Sequence, residues 1–141
     1  MSGFLLDTDT ITLAQFGHAR VLGNLSNQAV SAVHLPVISL QEQMQGWLSR
    51  LTRLTTPPKL ADWYDRMVVR MFPFWCRFQI LSFTEPAIQR FQHLLSAGLN
   101  VGKMDLRIAA IALENGLMVV TRNQRDFSRV PGLTTVDWSL A

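Results

Sequence analysis

Cysteine is nearly absent. Cys76 is the only one in 141 residues, so no disulfide framework can form within the chain, and a multi-cysteine zinc site is excluded with it. A lone thiol of this kind reads as a small buried hydrophobe. Charge is scarce as well: 16% of residues are charged, against the usual quarter. His18, His34 and His93 are too dispersed to suggest a shared site and read as surface or internally satisfied residues. No run is apolar enough for a bilayer; the stretch from Val21 to Gln41 lacks charge but contains Asn24, Ser26, Asn27, Gln28, Ser31 and Pro36. The N-terminus carries Asp7 and Asp9 and no basic run, so no secretory signal is visible. The expectation is a soluble, cytoplasmic protein of a reducing compartment. No Gly-rich phosphate loop follows the first apolar run, which weakens a nucleotide-binding reading. Ser39 lacks a nucleophile-elbow setting, and no His is placed to activate it.

What is present is a core. Apolar residues make up 48% of the chain, enough for one domain of ordinary size and against wholesale disorder. Thirteen bases face ten acids, giving +3, and 11 of the 13 bases are Arg. That bias favours forked recognition of phosphate or carboxylate.

The order of elements is that of an α/β protein. Phe4-Leu5-Leu6 is apolar without alternation, as expected of a strand buried on both faces. Thr8-Asp9-Thr10 opens a helix closed near Gly17, and a second helical stretch runs from about Ala19 to Val33. His34 to Ile38 reads as a second strand, ending at Ser39. From Leu40 the period becomes helical: Leu40, Met44, Trp47, Leu48, Leu51 and Leu54 share one face, Thr55 to Pro58 breaks it, and Leu60, Trp63, Tyr64, Met67, Val68 and Met71 mark a second amphipathic helix. The pair reads as a helical hairpin at about 40–74, with Arg50, Arg53, Arg66 and Arg70 on its polar side. A short strand is expected near Phe78 to Leu81, and then a helix from Thr84 to Ala97 stopped by Gly98. A further helix spans Lys103 to Asn115 and closes at Gly116. Leu117 to Val120 is a strand, a polar loop with one helical turn reaches Phe127, and Thr134 to Val136 is an edge strand. Strands alternating with helices predict a three-layer α/β/α sandwich around a central, mostly parallel sheet of four to five strands.

The acids point to chemistry by position. Asp7 ends the first strand, Asp126 lies in the loop past the fourth, and Glu42 begins the helix after the second. Asp105 falls in the first turn of a helix that runs back from the same edge. Ligands of open α/β sheets gather beyond the carboxyl ends of the strands, so all four converge there by topology. Singly, each has a plainer reading. Asp7 is a possible N-cap, Asp9 reads as a cap rather than a ligand, Glu42 and Asp105 suit the first turn of a helix, and Asp126 suits a turn. The functional reading gains because all four would have to coincide at one edge. Setting them aside leaves six acids against 13 bases, an acidic spot on a basic body of about +7. Two carboxylates about 5 Å apart repel by roughly 3 kcal/mol at an effective dielectric of 20, so such a cluster calls for cations. Hard oxygen donors without Cys or clustered His favour Mg²⁺ or Mn²⁺ over zinc.

Four segments carry a family resemblance. Phe4-Leu5-Leu6-Asp7-Thr8-Asp9-Thr10 resembles the opening motif of PIN-domain ribonucleases. Ile38 to Gly46, with Glu42, resembles their second motif, and Gly102 to Ala110, with Asp105, the third. Val119-Val120-Thr121-Arg122-Asn123-Gln124-Arg125-Asp126-Phe127 resembles the fourth, and Pro131-Gly132-Leu133 with Val136-Asp137-Trp138 the usual tail. Their order and lengths resemble VapC-type toxins of bacterial type II toxin–antitoxin systems, over nearly the whole chain, which implies a single PIN domain over 1–141. The resemblance implies a Mg²⁺-dependent endoribonuclease (Mn²⁺ as a possible substitute) that hydrolyses RNA phosphodiester bonds by metal-activated water. It implies inhibition by a VapB-type antitoxin and a homodimeric state. It carries over Asp7, Glu42, Asp105 and Asp126 as the acidic metal-binding and catalytic set, with Thr121 and Asn123 supporting the pocket. Gln41 and Gln43 depart from the more apolar neighbours often found around the family's Glu. Arg107, Arg122 and Arg125 flank the acidic motifs and are the expected grips for RNA phosphates. If aromatic residues of the hairpin are exposed between its arginines, they form a groove for an amphipathic antitoxin segment. Two other readings use the same residues: a metal-dependent DNA nuclease or phosphatase, and a catalytically silent binding module.

Overall fold

The structure, a computed structural model, describes residues 3–140. Five short strands form one parallel sheet: β1 (Phe4–Leu6), β2 (Val33–Pro36), β3 (Gln79–Leu81), β4 (Met118–Val120) and β5 (Thr135–Val136). Their spatial order is β3-β2-β1-β4-β5. The register aligns Leu5 with His34 on one side, and Leu5 and Leu6 with Val119 and Val120 on the other. The expected sandwich is therefore present, with helices on both faces.

The unbroken apolar run of β1 is explained by two cores. Successive side chains of a strand face opposite ways. Leu5 packs with Ile108, Ala109, Ile111 and Val119, and Leu6 packs with Ile11, Val21, Leu35, Trp75 and Val120. The first face is covered by α6 (Glu85–Ser96) and α7 (Lys103–Asn115). The second is covered by α1 (Thr8–Gln15), α2 (Ala19–Ser26) and α5 (Phe72–Cys76). Ala109, Ala110 and Ala112 of α7 are fully buried, and their small side chains let this helix lie close against the sheet. Gly116 ends α7 in the left-handed conformation, at φ 65°, which costs glycine nothing.

Several boundaries differ from expectation. The stretch Val37-Ile38 is not strand: α3 spans Val37–Leu51, with Pro36 as its extended N-cap. The β-branched pair is drawn into the helix because that buries Ile38 and Ser39. The helix after Ala19 stops at Ser26, and a 3₁₀ turn at Val30–Ala32 leads into β2. The second arm of the hairpin outlasts its expected end: α4 (Pro57–Arg66) passes through a π-helical turn at Met67–Met71 into α5. Pro73 near the start of α5 has no N–H to continue the regular ladder, and the widened turn lies just before it. Cys76 is exposed rather than buried, because it closes α5 on the solvent side. His34 is buried in β2, with Nδ1 3.3 Å from the Phe4 carbonyl oxygen, and His18 caps α2 through a bond from the Val21 N–H. No helix among the described residues is long and apolar enough to cross a membrane.

Candidate active site

The strand order reverses between β1 and β4. At such a switch point the connections leave in opposite directions and open a crevice beyond the strand ends. The Asp7 N–H continues the ladder onto the Val120 carbonyl at 3.1 Å, and the Thr10 hydroxyl donates to the same carbonyl at 3.0 Å. These bonds lock the start of α1 over the end of β4. Asp7 itself is the N-cap of α1: its Oδ1 accepts from the Thr10 N–H at 2.9 Å. Of the two candidate caps, Asp9 is instead an exposed first-turn residue, because Asp7 already stands in the extended conformation a cap needs. Capping and pocket-lining thus coexist in Asp7, which is only 5% exposed.

Asp7, Glu42 and Asp105 meet in one pocket of about 340 Å³, together with Thr8, Asp9, Thr12 and Asn123. Three elements distant in sequence bring them there: the end of β1, the second turn of α3 and the first turn of α7. Because α3 begins at Val37, Glu42 is not a first-turn acid complementing a dipole, and no acid occupies that turn. Its Oε1 accepts from the Thr8 hydroxyl at 2.7 Å. Gln43 explains its own polarity. It exchanges amide hydrogen bonds with Gln15 of α1 at 2.8 and 3.1 Å and accepts from the Trp75 indole at 2.9 Å, so α3 is pinned to α1 and α5 beside Glu42.

The electrostatics record the crowding. The Asp105 carboxyl is pushed up to about 6, first by burial and then by the negative charges of Asp7 and Glu42; the Asn123 amide pulls it back, and Asp126 adds to the repulsion. Burial also raises Asp7, against hydrogen bonds from Thr121 and Thr10. The fourth acid, Asp126, stands one step back. Its Oδ2 accepts from Asn123 Nδ2 at 3.0 Å and its Oδ1 from Arg129 at 3.2 Å, while Asn123 also reaches Asp105 at 3.4 Å. Thr121 is fully buried at the end of β4, and its hydroxyl accepts from the Asn123 N–H at 2.9 Å. Arg129 escaped notice in the sequence, although its spacing of three from Asp126 was a signal; it also donates to the Asn100 carbonyl at 2.8 Å. Thr8 and Ser39 were missed too, for their partners lie over thirty positions away.

The three expected phosphate-binding arginines are dispersed. Arg122 stands 3.8 Å from Asp9 at the pocket mouth, and Arg125 is exposed on α8 (Gln124–Phe127). Arg107 points away from the acids. Its guanidinium lies 5.1 Å over the Phe91 ring, in a separate pocket between α3, α6 and α7.

Beside the acid pocket runs an apolar groove of about 330 Å³, floored by Trp47, Trp63, Met71 and the exposed Phe16, and rimmed by Arg66 and Arg70. Trp47 and Trp63 stack with centroids 4.2 Å apart, and the Trp63 indole donates to the Trp47 carbonyl at 3.2 Å. The two depressions share Thr12.

A three-layer sandwich with carboxylates gathered at its switch point is the architecture of a PIN-like nuclease domain. The family model for the PIN domain matches residues 4–133, and the chain belongs to that family. It is 30% identical to the tRNA(fMet)-specific endonuclease VapC of Salmonella typhimurium, over 98% of this chain and 99% of that one. Among solved structures, the DNA-bound VapBC complex of Salmonella typhimurium superimposes with a TM-score of 0.69 at 28% identity, covering 98% of this chain and 99% of that one. FitAcB from Neisseria gonorrhoeae shares the fold, with a TM-score of 0.74 at 24% identity and coverage of 96% and 97%.

Proposed function

We propose that this protein is a VapC-type toxin, a divalent-metal-dependent endoribonuclease held in check by a VapB-type antitoxin. The observation that carries the reading is the convergence of Asp7, Glu42 and Asp105 in one pocket at the switch point, with the Asp105 carboxyl lifted to about 6 by burial and by its neighbours. That lift measures how poorly the site tolerates its own charge, and a bound cation is the remedy.

The residues fit Mg²⁺ or Mn²⁺ in donor chemistry, since the pocket offers carboxylate and hydroxyl oxygens and neither Cys nor His. Among the described residues no three Asp, Glu, His or Cys side chains stand close enough together to hold a metal ion as they are, so binding draws the pocket's carboxylates inward. A hard ion keeps several of its own waters, so the carboxylates need only complete its shell. Asp7 and Asp105 are the first ligands in this assignment, Glu42 the third, and Asp126 contributes through the field and through Asn123. A bound ion supplies an acidified water and offsets charge on the phosphate oxygens. Asp7 and Asp105 hold the negative charge that attracts it. Thr10, Thr121 and Asn123 keep those carboxylates oriented. Arg122, beside Asp9 at the mouth, is the arginine placed to hold an RNA phosphate next to the acids, and the exposed Arg125 on α8 extends the basic surface. In-line attack by water with the 3′-oxygen as leaving group breaks the P–O3′ bond, gives a 5′-phosphate and a 3′-hydroxyl, and does not need the ribose 2′-hydroxyl.

The groove beside the pocket is assigned to an amphipathic antitoxin segment, whose apolar face meets the tryptophans and whose basic residue reaches past Thr12 to the acids. A second copy of the chain completes the assembly. Incubation of the purified protein with single-stranded RNA, single-stranded DNA and a phosphomonoester, each with Mg²⁺ and with EDTA, tests the activity. Cleavage of RNA alone, lost in EDTA, is the expected pattern; turnover of DNA or of the monoester in its place points to the other nuclease or phosphatase reading.

A further inference from the structure

Thr8 lies between the acid pocket and the interior. Its Oγ1 is 2.7 Å from Glu42 Oε1 and 2.8 Å from Ser39 Oγ. Each hydroxyl has a single proton, and a carboxylate only accepts. The proton order follows. Thr8 donates to Glu42, so the Ser39 hydroxyl must donate to Thr8. The first bond has the short length of a charge-assisted O–H···O⁻ contact. Ser39 is 0% exposed, and the Thr8 hydroxyl is the one side-chain partner found for it among the described residues. It therefore cannot turn to water for an alternative, and its position is set by the packing of α3 against the sheet. Glu42 is one turn further along α3, with Oε2 free of hydrogen bonds among the described residues.

We infer that Ser39 and Thr8 form a two-hydroxyl chain that positions Glu42, fixing Oε1 and presenting Oε2 to a divalent cation. The inference rests on the metal-dependent reading above. Both hydroxyls are positioning residues and act only through Glu42. Without them, a flexible Glu on the second turn of a helix samples several rotamers, and the entropy of freezing it is charged to metal binding. Outer partners that orient a metal ligand contribute about 10–100-fold in metal affinity or activity.

The test is Mn²⁺ binding to the intact protein, read by electron paramagnetic resonance of free Mn²⁺, beside RNA cleavage over a Mn²⁺ titration. Thr8→Val preserves shape and removes the donor; it should raise the Mn²⁺ dissociation constant about 10–100-fold. Saturating Mn²⁺ should restore cleavage, with KM for RNA unchanged. Thr8→Ser returns the hydroxyl and should recover binding. Ser39→Ala should weaken binding less, and its effect should vanish in a Thr8→Val background, since the chain is already cut there. Equal Mn²⁺ binding by wild type and Thr8→Val overturns the inference while leaving the metal site intact. So does failure of Thr8→Ser to recover, or independent losses in the double variant. No Mn²⁺ binding by the wild type removes the metal-dependent reading and the inference together.

Discussion

Replacing Asp105 by Asn should stabilise the metal-free protein at neutral pH while ending catalysis. The carboxyl of Asp105 is raised from 3.8 to about 6 by burial and by Asp7, Glu42 and Asp126. A shift of this size corresponds to about 3 kcal/mol at full strength. Asp105 keeps part of its surface in water, which screens the interaction and leaves about 1–2 kcal/mol. The sign is set by proton affinity. The folded carboxyl binds its proton more tightly than the unfolded one, so its favourable contribution is complete below about pH 4 and is lost as pH rises through about 6. Asn carries no charge to repel. In EDTA, the melting temperature of the wild type should therefore fall relative to Asp105→Asn between pH 4 and 7.5, by about 3–7 °C for a chain of this size. Added Mn²⁺ should close the gap by binding only the wild-type fold. Differential scanning calorimetry of both proteins across that pH range is the assay. An Asp105→Asn protein that is less stable than wild type at pH 7.5 in EDTA, or a difference that does not vary with pH, would refute the reasoning.

Other perturbations separate the parts of the molecule. Asp7→Asn keeps an N-cap acceptor for Thr10 and so should retain its fold by circular dichroism while RNA cleavage is lost. Asn123→Ala frees Asp126 and Asp105 from their shared amide; a loss of about 1 kcal/mol in urea unfolding is expected, with reduced cleavage. Trp63→Ala removes the stack on Trp47 and should cost about 1–3 kcal/mol of stability at this half-buried site. It should weaken antitoxin binding in a pull-down while sparing RNA cleavage at a temperature well below melting. Ala109→Leu forces bulk between α7 and the sheet, where Ala109 is fully buried, and should destabilise by about 1–3 kcal/mol or more.

How much of this was legible depended on the range of the interaction concerned. β1, α7 and β4 were readable because burial on both faces leaves a continuous apolar run or an alanine stripe, both local signals. The convergence of Asp7, Glu42 and Asp105 was readable because parallel topology alone carries them to one edge. The start of α3 was not, since Val37 and Ile38 favour a strand locally and are turned into helix by what they bury. Asp7 and Asp9 were both candidate caps of α1, and the sequence could not choose between them because the choice is made by the extended backbone at Asp7. The Ser39–Thr8–Glu42 chain joins hydroxyls of no distinguishing local pattern across 31 and 34 positions. Arg107 was placed by sequence beside the acids, yet on a helix two residues turn a side chain by roughly 200°, and it reaches Phe91 on α6 instead.

Expression of wild type and Asp7→Asn in a bacterial host, followed by sequencing of 5′-phosphorylated RNA ends, tests most directly whether the gathered carboxylates hydrolyse RNA. Discrete new ends with the wild type and none with Asp7→Asn are expected. The same ends in both proteins, or growth arrest without new ends in either, would contradict catalysis at this pocket.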